Sequence, residues 1–180
     1  MIAIRLFAVL AGALVALAAP GAGWTAPEGK VVIAQGVDPS SLDIMNQQET
    51  PASVVGEHIY NKLVERDQSL KIVPALAVEL PKLISPQVWE VKLRKGVKFH
   101  NGEDFNADSA KFSLERAKDP KMRGSSNFKL IQRVEIMDPY TVRVHTVKPW
   151  PTFVASMNHP QAAMYPPKAY ADKDSPYISK

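Results

Sequence analysis

Cysteine is absent from the 180-residue sequence, and several kinds of site are excluded with it. Without a thiol the chain forms no disulfide, and it offers no thiolate ligand to zinc or to an iron–sulfur cluster. A lipidated N-terminal cysteine on this chain is excluded for the same reason. We therefore expect packing and hydrogen bonding, rather than cross-links, to hold the fold together.

A strong charge of either sign is also missing. The 22 Lys and Arg residues outnumber the 18 Asp and Glu residues only slightly, for a formal net charge of +4, and the basic side chains are scattered. A nucleic-acid-binding surface needs a concentrated positive patch, so the composition argues against a nucleic-acid partner.

Motifs for catalysis and metal binding are lacking too. The sequence contains no G-x-S-x-G, no H-E-x-x-H and no glycine-rich phosphate loop. No two histidines have the i, i+4 spacing that would place both imidazoles on one face of a helix. The four are His58, His100, His145 and His159. We predict isolated histidines, no metal, no cofactor and no enzyme activity.

The N-terminus carries the one long hydrophobic run. Arg5 precedes residues 6–19, which are Leu, Phe, Val and Ala with one Gly, and residues 20–23 are small. A positive start, an apolar centre and a small-residue end are typical of a secretory signal peptide. The run is shorter than the roughly 20 residues of a membrane-spanning helix, although an uncleaved anchor stays open as the alternative. We predict a signal peptide at residues 1–26, cleaved near residues 23–26, and a periplasmic location.

The clearest secondary-structure pattern lies in residues 89–120. Apolar and polar side chains alternate over residues 89–94, which predicts a half-buried strand. Asn101-Gly102 predicts a turn, because both residues tolerate a positive φ. Asn106 can cap a helix, and apolar residues then recur at three- and four-residue steps as far as Ala117.

The residues of this stretch resemble a known family. L-R-x-G-V-K-F-H-x-G begins at Leu93, and F-S-L-E-R-A-x-D-P begins at Phe112. Both runs resemble the extracytoplasmic solute-binding proteins of peptide-type ABC importers, known as family 5. The resemblance extends in order from about Val31 to Tyr170. It implies an α/β (α+β) fold of the periplasmic-binding-protein-like class, with an accessory lobe, incomplete at the C-terminus.

The resemblance also implies a division of the chain into parts. Residues 27–66 would begin ligand-binding lobe I, with its first strand at residues 30–36. Residues 67–165 would form the accessory lobe, including a hairpin that turns at residues 138–140. Residues 166–180 would return toward lobe I, where the chain is truncated, since known members are longer, two-lobed proteins.

A polar loop precedes the first predicted helix, and the resemblance places it at the ligand cleft. The candidate ligand-binding residues are Gln47, Gln48, Glu49 and Thr50. Their amides and carboxylate could bind polar or positively charged groups of a solute. The alternative is a solvated loop in which Thr50 caps the helix and Pro51 occupies its first position.

Two other groups of side chains are interpreted structurally. Glu115-Arg116 is predicted to be a solvated helical edge. Four aromatic residues are predicted to be core, with a sugar-stacking platform as the alternative. They are Trp89, Trp150, Phe99 and Phe105.

The family resemblance implies a binding protein. Two lobes would close on a peptide or related small solute without catalysis, and the protein, a monomer, would deliver it to the permease and ATPase subunits of an ABC importer. One alternative is a truncated, non-binding remnant with exposed apolar surface and poor solubility. A secreted hydrolase is the other.

Overall fold

The computed structural model describes residues 32–171. The predicted signal peptide, the start of the first predicted strand and residues 172–180 of the predicted return segment lie outside these residues. The chain divides into two compact units, residues 1–34 and residues 35–180, and the architecture given below is that of the second.

The described part of the second unit mixes short helices with antiparallel strands. The helices are α1 (Thr50–Glu57), α2 (Ala107–Ala117), α3 (Phe153–Ser156) and α4 (Pro167–Ala171). The strands are β1 (Val64–Arg66), β2 (Ile72–Pro74), β3 (Lys82–Ser85), β4 (Val88–Lys92), β5 (Ile131–Asp138) and β6 (Thr141–Thr146). Three 3₁₀ turns lie at Ile44–Asn46, Ser125–Asn127 and Pro160–Ala162. Of the helices that the structure describes, none has the length and hydrophobicity that a bilayer crossing requires.

A four-stranded antiparallel sheet in the order β3-β4-β6-β5 forms the largest layer. Strand β4 pairs with β6 so that Trp89 lies opposite Val144 and Val91 opposite Val142. Alternation puts these four apolar side chains on one face, and all four are buried. The predicted strand and the predicted hairpin are both confirmed, and Asp138 stabilises the hairpin turn by accepting a hydrogen bond from Tyr140 N–H at 2.7 Å.

Helix α2 covers the buried face of this sheet. Its apolar stripe, which includes Ala110, Leu114 and Ala117, is buried. Asn106 caps the helix as predicted, because its side chain accepts a hydrogen bond from Ser109 N–H while Ser109 Oγ accepts one from Asn106 N–H. Gly102 has φ +87°, so the predicted turn before the helix is also confirmed.

The aromatic residues near the sheet are core, as predicted. Trp89 stacks on Phe153 with ring centroids 4.9 Å apart, and Trp150 meets the same ring edge-on at 5.4 Å. Phe105 is buried and Phe99 partly buried, packed against each other edge to face. None of the four rings forms an exposed flat platform, so the structure gives no support to sugar stacking.

Two local expectations are wrong. A strand was expected at residues 30–36, but residues 32–36, the part of it that the structure describes, form no strand. Helix α1 has Glu49, not Thr50, at its N-cap, and no side chain caps it. The helix ends at Glu57, and the chain then leads into β1.

Candidate functional site

Three loops meet where the predicted ligand-binding residues lie. The first is the loop before α1, the second is the connection after α2, and the third is the turn at Pro160–Ala162. We call the meeting point the three-loop junction. Its residues are Asn46, Gln47 and Gln48 from the first loop, Arg123, Gly124 and Asn127 from the second, and Gln161 from the third.

Gln47 is the most buried of the four predicted residues. Its side chain accepts a hydrogen bond from Ser40 Oγ at 3.2 Å, and its backbone carbonyl accepts one from the Gln161 amide. The same Ser40 hydroxyl also lies 2.9 Å from the Glu49 carboxylate, to which it can donate instead. The structure thus brings Gln47 and Glu49 together through one serine.

Gln48 connects the first loop to the second. Its amide Nε2 donates to the Arg123 carbonyl at 2.8 Å, and Asn46 Oδ1 accepts from Arg123 N–H at 3.1 Å. Both backbone groups of Arg123 are therefore bound by side chains of the neighbouring loop. Thr50 begins α1 and has no part in these contacts.

Gln161 fills the centre of the junction. It is 2% exposed, and besides its bond to Gln47 it accepts a hydrogen bond from Asn127 Nδ2 at 3.1 Å. A Cβ atom at Gly124 would overlap the Gln161 amide, so a larger residue there would have to displace the Gln161 side chain. The buried amide has partners at both ends, as a buried polar group should.

A buried ion pair attaches the first loop to helix α2. Arg116 donates two hydrogen bonds to Asp43, one of them at 3.1 Å, and its guanidinium stacks 5.0 Å from the Tyr165 ring. Tyr165 Oη donates to Asp43 at 3.1 Å and accepts from Met45 N–H at 3.0 Å. The prediction that Glu115-Arg116 is a solvated edge is therefore wrong for Arg116, whose side chain is only 15% exposed.

The charges in this anchor are stabilised by one another. Burial alone would lower the pKa of Arg116, but the hydrogen bonds and charge of Asp43 raise it. Burial and the charge of Asp43 raise the pKa of Tyr165, so that hydroxyl stays protonated and can donate. Arg116 remains a cation and the loop remains attached to α2.

A separate apolar pocket of about 390 Å³ opens on another part of the surface. Its walls include Tyr60, Leu76, Phe99, Phe105, Met164 and Tyr170. The predicted residues 47–50 do not line it. His58 and His100 do, with His100 Nε2 3.2 Å from the Ile59 carbonyl oxygen. No cluster of three or more His, Asp or Glu residues suited to a metal exists within residues 32–171.

Sequence reasoning found part of the junction and missed the rest. Gln47, Gln48 and Glu49 were visible as a polar loop. Asn46 adjoins that loop and Arg123 begins a polar connection, so their composition was a usable signal. Gln161 carries no local signal, because its role depends on a hydrogen bond across 114 residues.

Comparison with known proteins gives a consistent family. The sequence profile of the bacterial extracellular solute-binding proteins, family 5 (middle), matches residues 71–179. The glutathione-binding protein GsiB of Escherichia coli O1:K1 is 34% identical over 142 residues, 78% of this chain and 28% of that protein. GsiB of Pectobacterium atrosepticum is 33% identical over 167 residues, 92% of this chain and 32% of that protein. The chain thus spans about 28–32% of the length of these relatives.

Solved structures agree on the fold. MoaA of A. tumefaciens R10, in complex with mannopinic acid, matches with a TM-score of 0.69 and 29% identity, over 76% of this chain and 29% of that one. Haemophilus influenzae OppA, in complex with RPPGFSPFR, matches with a TM-score of 0.71 and 24% identity, over 80% and 32%. The periplasmic-binding-protein-like fold class predicted from the sequence is confirmed.

Proposed function

The chain belongs to the bacterial extracellular solute-binding proteins of family 5, and from that membership we propose that it is part of the substrate-binding component of an ABC importer. The family match over residues 71–179, together with about one-third identity to glutathione-binding proteins, is the observation that supports this most directly. The protein captures a solute and carries out no catalysis.

The proposed solute is a peptide or a related small molecule that carries a carboxylate. Glutathione, mannopinic acid and the peptide RPPGFSPFR are bound by similar proteins, and each of them bears a carboxylate. We propose that Gln47, Gln48, Glu49 and Thr50 contribute to its site. Gln47 and Gln48 lie on a loop already held by Gln161 and Arg116, and a pre-ordered loop loses less entropy on binding.

The proposed organisation follows the two-lobed plan of the family. Residues 27–66 begin lobe I, residues 67–165 form the accessory lobe, and residues 166–180 return toward lobe I. A solute stabilises the closed arrangement of two lobes because it contacts both. The protein acts as a periplasmic monomer, exported by a signal peptide in residues 1–26, and delivers the solute to permease and ATPase subunits.

A binding screen on the complete protein that carries this chain tests the proposal. The panel is glutathione, trialanine, mannopinic acid, a disaccharide and Ni(L-His), measured by thermal unfolding and isothermal titration calorimetry. A ligand that binds only the folded state at about 1,000 times its Kd raises the free energy of unfolding by about 4 kcal/mol. A measurable Kd for one member supports solute capture, and the absence of stabilisation by peptides, opines, sugars and nickel complexes alike would overturn it.

The same screen on the 180-residue chain alone separates capture from the remnant hypothesis. If both the complete protein and this chain bind the solute, the chain holds the main contacts. If only the complete protein binds, this chain supplies part of a site that the rest of the protein completes. Binding by neither leaves the remnant hypothesis standing.

A further inference from the structure

Arg123 has an ordered backbone and a free side chain. Its N–H donates to Asn46 Oδ1 at 3.1 Å and its carbonyl accepts from Gln48 Nε2 at 2.8 Å. The next residue, Gly124, packs so closely on Gln161 that a Cβ there would overlap it. Asn46, Gln48 and Gln161 thus constrain the backbone, while the Arg123 side chain is exposed.

The other arginines in residues 32–171 all have partners. Three of them form ion pairs with carboxylates and two donate to backbone carbonyls. They are Arg116 with Asp43, Arg133 with Glu135, Arg143 with Glu90, Arg66 with the Leu70 carbonyl and Arg94 with the Ala75 carbonyl. Arg123 is the one arginine in this part of the chain whose guanidinium has no hydrogen bond, ion pair or ring contact with the protein.

We propose that Arg123 determines specificity by binding the carboxylate of the solute. The inference rests on the proposed function and adds a residue to the predicted loop. A guanidinium presents parallel N–H donors that match the two oxygens of a carboxylate, which makes it more selective for that group than a lysine. Asn46 and Gln48, which bind the backbone of Arg123, place this donor next to the predicted ligand-binding loop.

The position of Arg123 favours binding over a purely solvated role. Its backbone is fixed by the loop that carries the predicted ligand contacts, so its Cα cannot drift relative to Gln47 and Gln48. No acidic side chain within salt-bridge distance competes for the guanidinium in the described part of the chain; the nearest predicted site carboxylate, Glu49, accepts from Ser40 instead. The backbone of Arg123 is thus ordered beside the predicted ligand-binding loop, and its guanidinium is not committed to any protein group, so it can bind an anionic group.

The test compares Arg123→Ala and Arg123→Lys with a matched control in the complete protein. Lys121→Ala is the control, because Lys121 is an exposed cation two residues away in the same connection. The probes are glutathione, trialanine with its free carboxylate and trialanine amide, and the measurement is Kd by calorimetry. Thermal unfolding of each variant checks that the fold is retained.

Binding of the free acid should weaken by about 10- to 100-fold in Arg123→Ala, the loss of one charge-assisted pair. Binding of trialanine amide should change by less than about threefold, since the amide has no carboxylate to lose. Arg123→Lys should fall between, and Lys121→Ala should resemble the unaltered protein.

Each other outcome overturns the inference. Equal weakening for acid and amide would assign Arg123 a structural role in the loop. Unchanged binding of the acid by Arg123→Ala would remove the residue from the site while the proposed function stood. If the unaltered protein binds none of the probes or the wider panel, the proposed function itself fails and the inference with it.

Discussion

Arg116 concentrates several roles in one buried side chain. It pairs with Asp43 across 73 residues and stacks on the rings of Tyr165 and Tyr170. Arg116→Ala would leave the Asp43 carboxylate buried without its cation, so we expect a loss of about 3–5 kcal/mol in the free energy of unfolding. Urea denaturation followed by circular dichroism measures it.

Arg133→Ala is the matched control for that loss. Arg133 pairs with Glu135 on the exposed surface, its side chain 54% accessible, so its removal should cost no more than about 1 kcal/mol. Equal losses in the two variants would show that burial of the Arg116–Asp43 pair adds nothing to stability.

His159 gives the junction a dependence on pH. Burial lowers the pKa of His159 from its ordinary 6.5, assisted by the charge of Lys62 and opposed by that of Glu57. The unfolded chain therefore takes up the proton first as pH falls below 6.5, and the free energy of unfolding decreases from there down to the folded-state pKa. Protonation also removes the Nδ1 lone pair that accepts from Gln161 N–H.

His159→Gln tests this dependence. Glutamine cannot titrate, so the variant should lose less stability than the unaltered protein between about pH 7 and about pH 5, by urea denaturation at each pH. His58→Gln is the control, because His58 is exposed. A slope with pH that His159→Gln leaves unchanged would assign the dependence to other groups.

At the scale of single residues, the sequence shows which residues are polar but does not predict which of the polar residues are buried. Gln47, Gln48 and Glu49 were predicted to lie in a polar loop, and their role in ligand binding stays a prediction. Arg116 was misassigned because it neighbours Glu115 on a helix whose apolar stripe runs elsewhere. Its partners Asp43, Tyr165 and Tyr170, far away in sequence, make its burial favourable.

Helix α2 is the element whose local sequence specifies it most fully. Asn106 and Ser109 satisfy each other's backbone N–H groups, which the helix would otherwise leave without partners. We expect Asn106→Ala to lower the free energy of unfolding by about 1 kcal/mol and Asn106→Gly to lower it by only a few tenths. Chemical denaturation distinguishes these values.

Lys111→Ala is the control for the cap. Lys111 lies exposed within the same helix, and its removal should change stability by less than about 0.5 kcal/mol. A larger loss from Lys111→Ala than from Asn106→Ala would mean that the helix surface, rather than the cap, limits α2.

Elements with their own periodic pattern were predictable and the others were not. The alternation in β4 and β6 and the stripe of α2 appear directly in the residues. Strands β1 and β2 have only three residues each, and β3 is exposed along its length, so no alternating burial marks them. Residues 32–36 show that an apolar run alone is not sufficient, because they form no strand.

At the scale of the whole molecule, one edge of the sheet exposes apolar side chains. Strand β3 is an edge strand, and Leu83 and Ile84 on it are 54% and 46% exposed. With Trp89 and Trp150 they line an apolar hollow on that side. Exposed apolar edge strands promote association between chains, which agrees with the poor solubility expected of this chain on its own.

Ile84→Lys should reduce that association. A charged side chain on an edge strand opposes pairing with another edge, so the variant should stay monomeric to higher concentration in sedimentation velocity. Val147→Lys, at another exposed apolar residue outside β3, is the control. If both variants behave as the unaltered chain does, the edge of β3 is not where chains meet.

The overall fold class could be predicted from the sequence because a family resemblance indicated it. The contacts between loops that are distant in the sequence could not be predicted. The junction exists only where residues 46–48, 123–127 and 161 meet, and no local pattern encodes that meeting. Its hydrogen bonds depend on the paths of the chain between those loops. The composition of the loops can suggest individual residues of the junction, but it does not predict how these residues are arranged.

The hydrogen bonds from the first loop to Tyr165 and Gln161 also determine when this loop can become ordered during folding. Met45 can form its hydrogen bond only after Tyr165, 120 positions later, has been synthesised. Gln47 can form its bond only after Gln161, 114 positions later, has been synthesised. A nascent chain shorter than that has the first loop but not the residues that bind it, so this loop is among the last parts of the fold to become ordered.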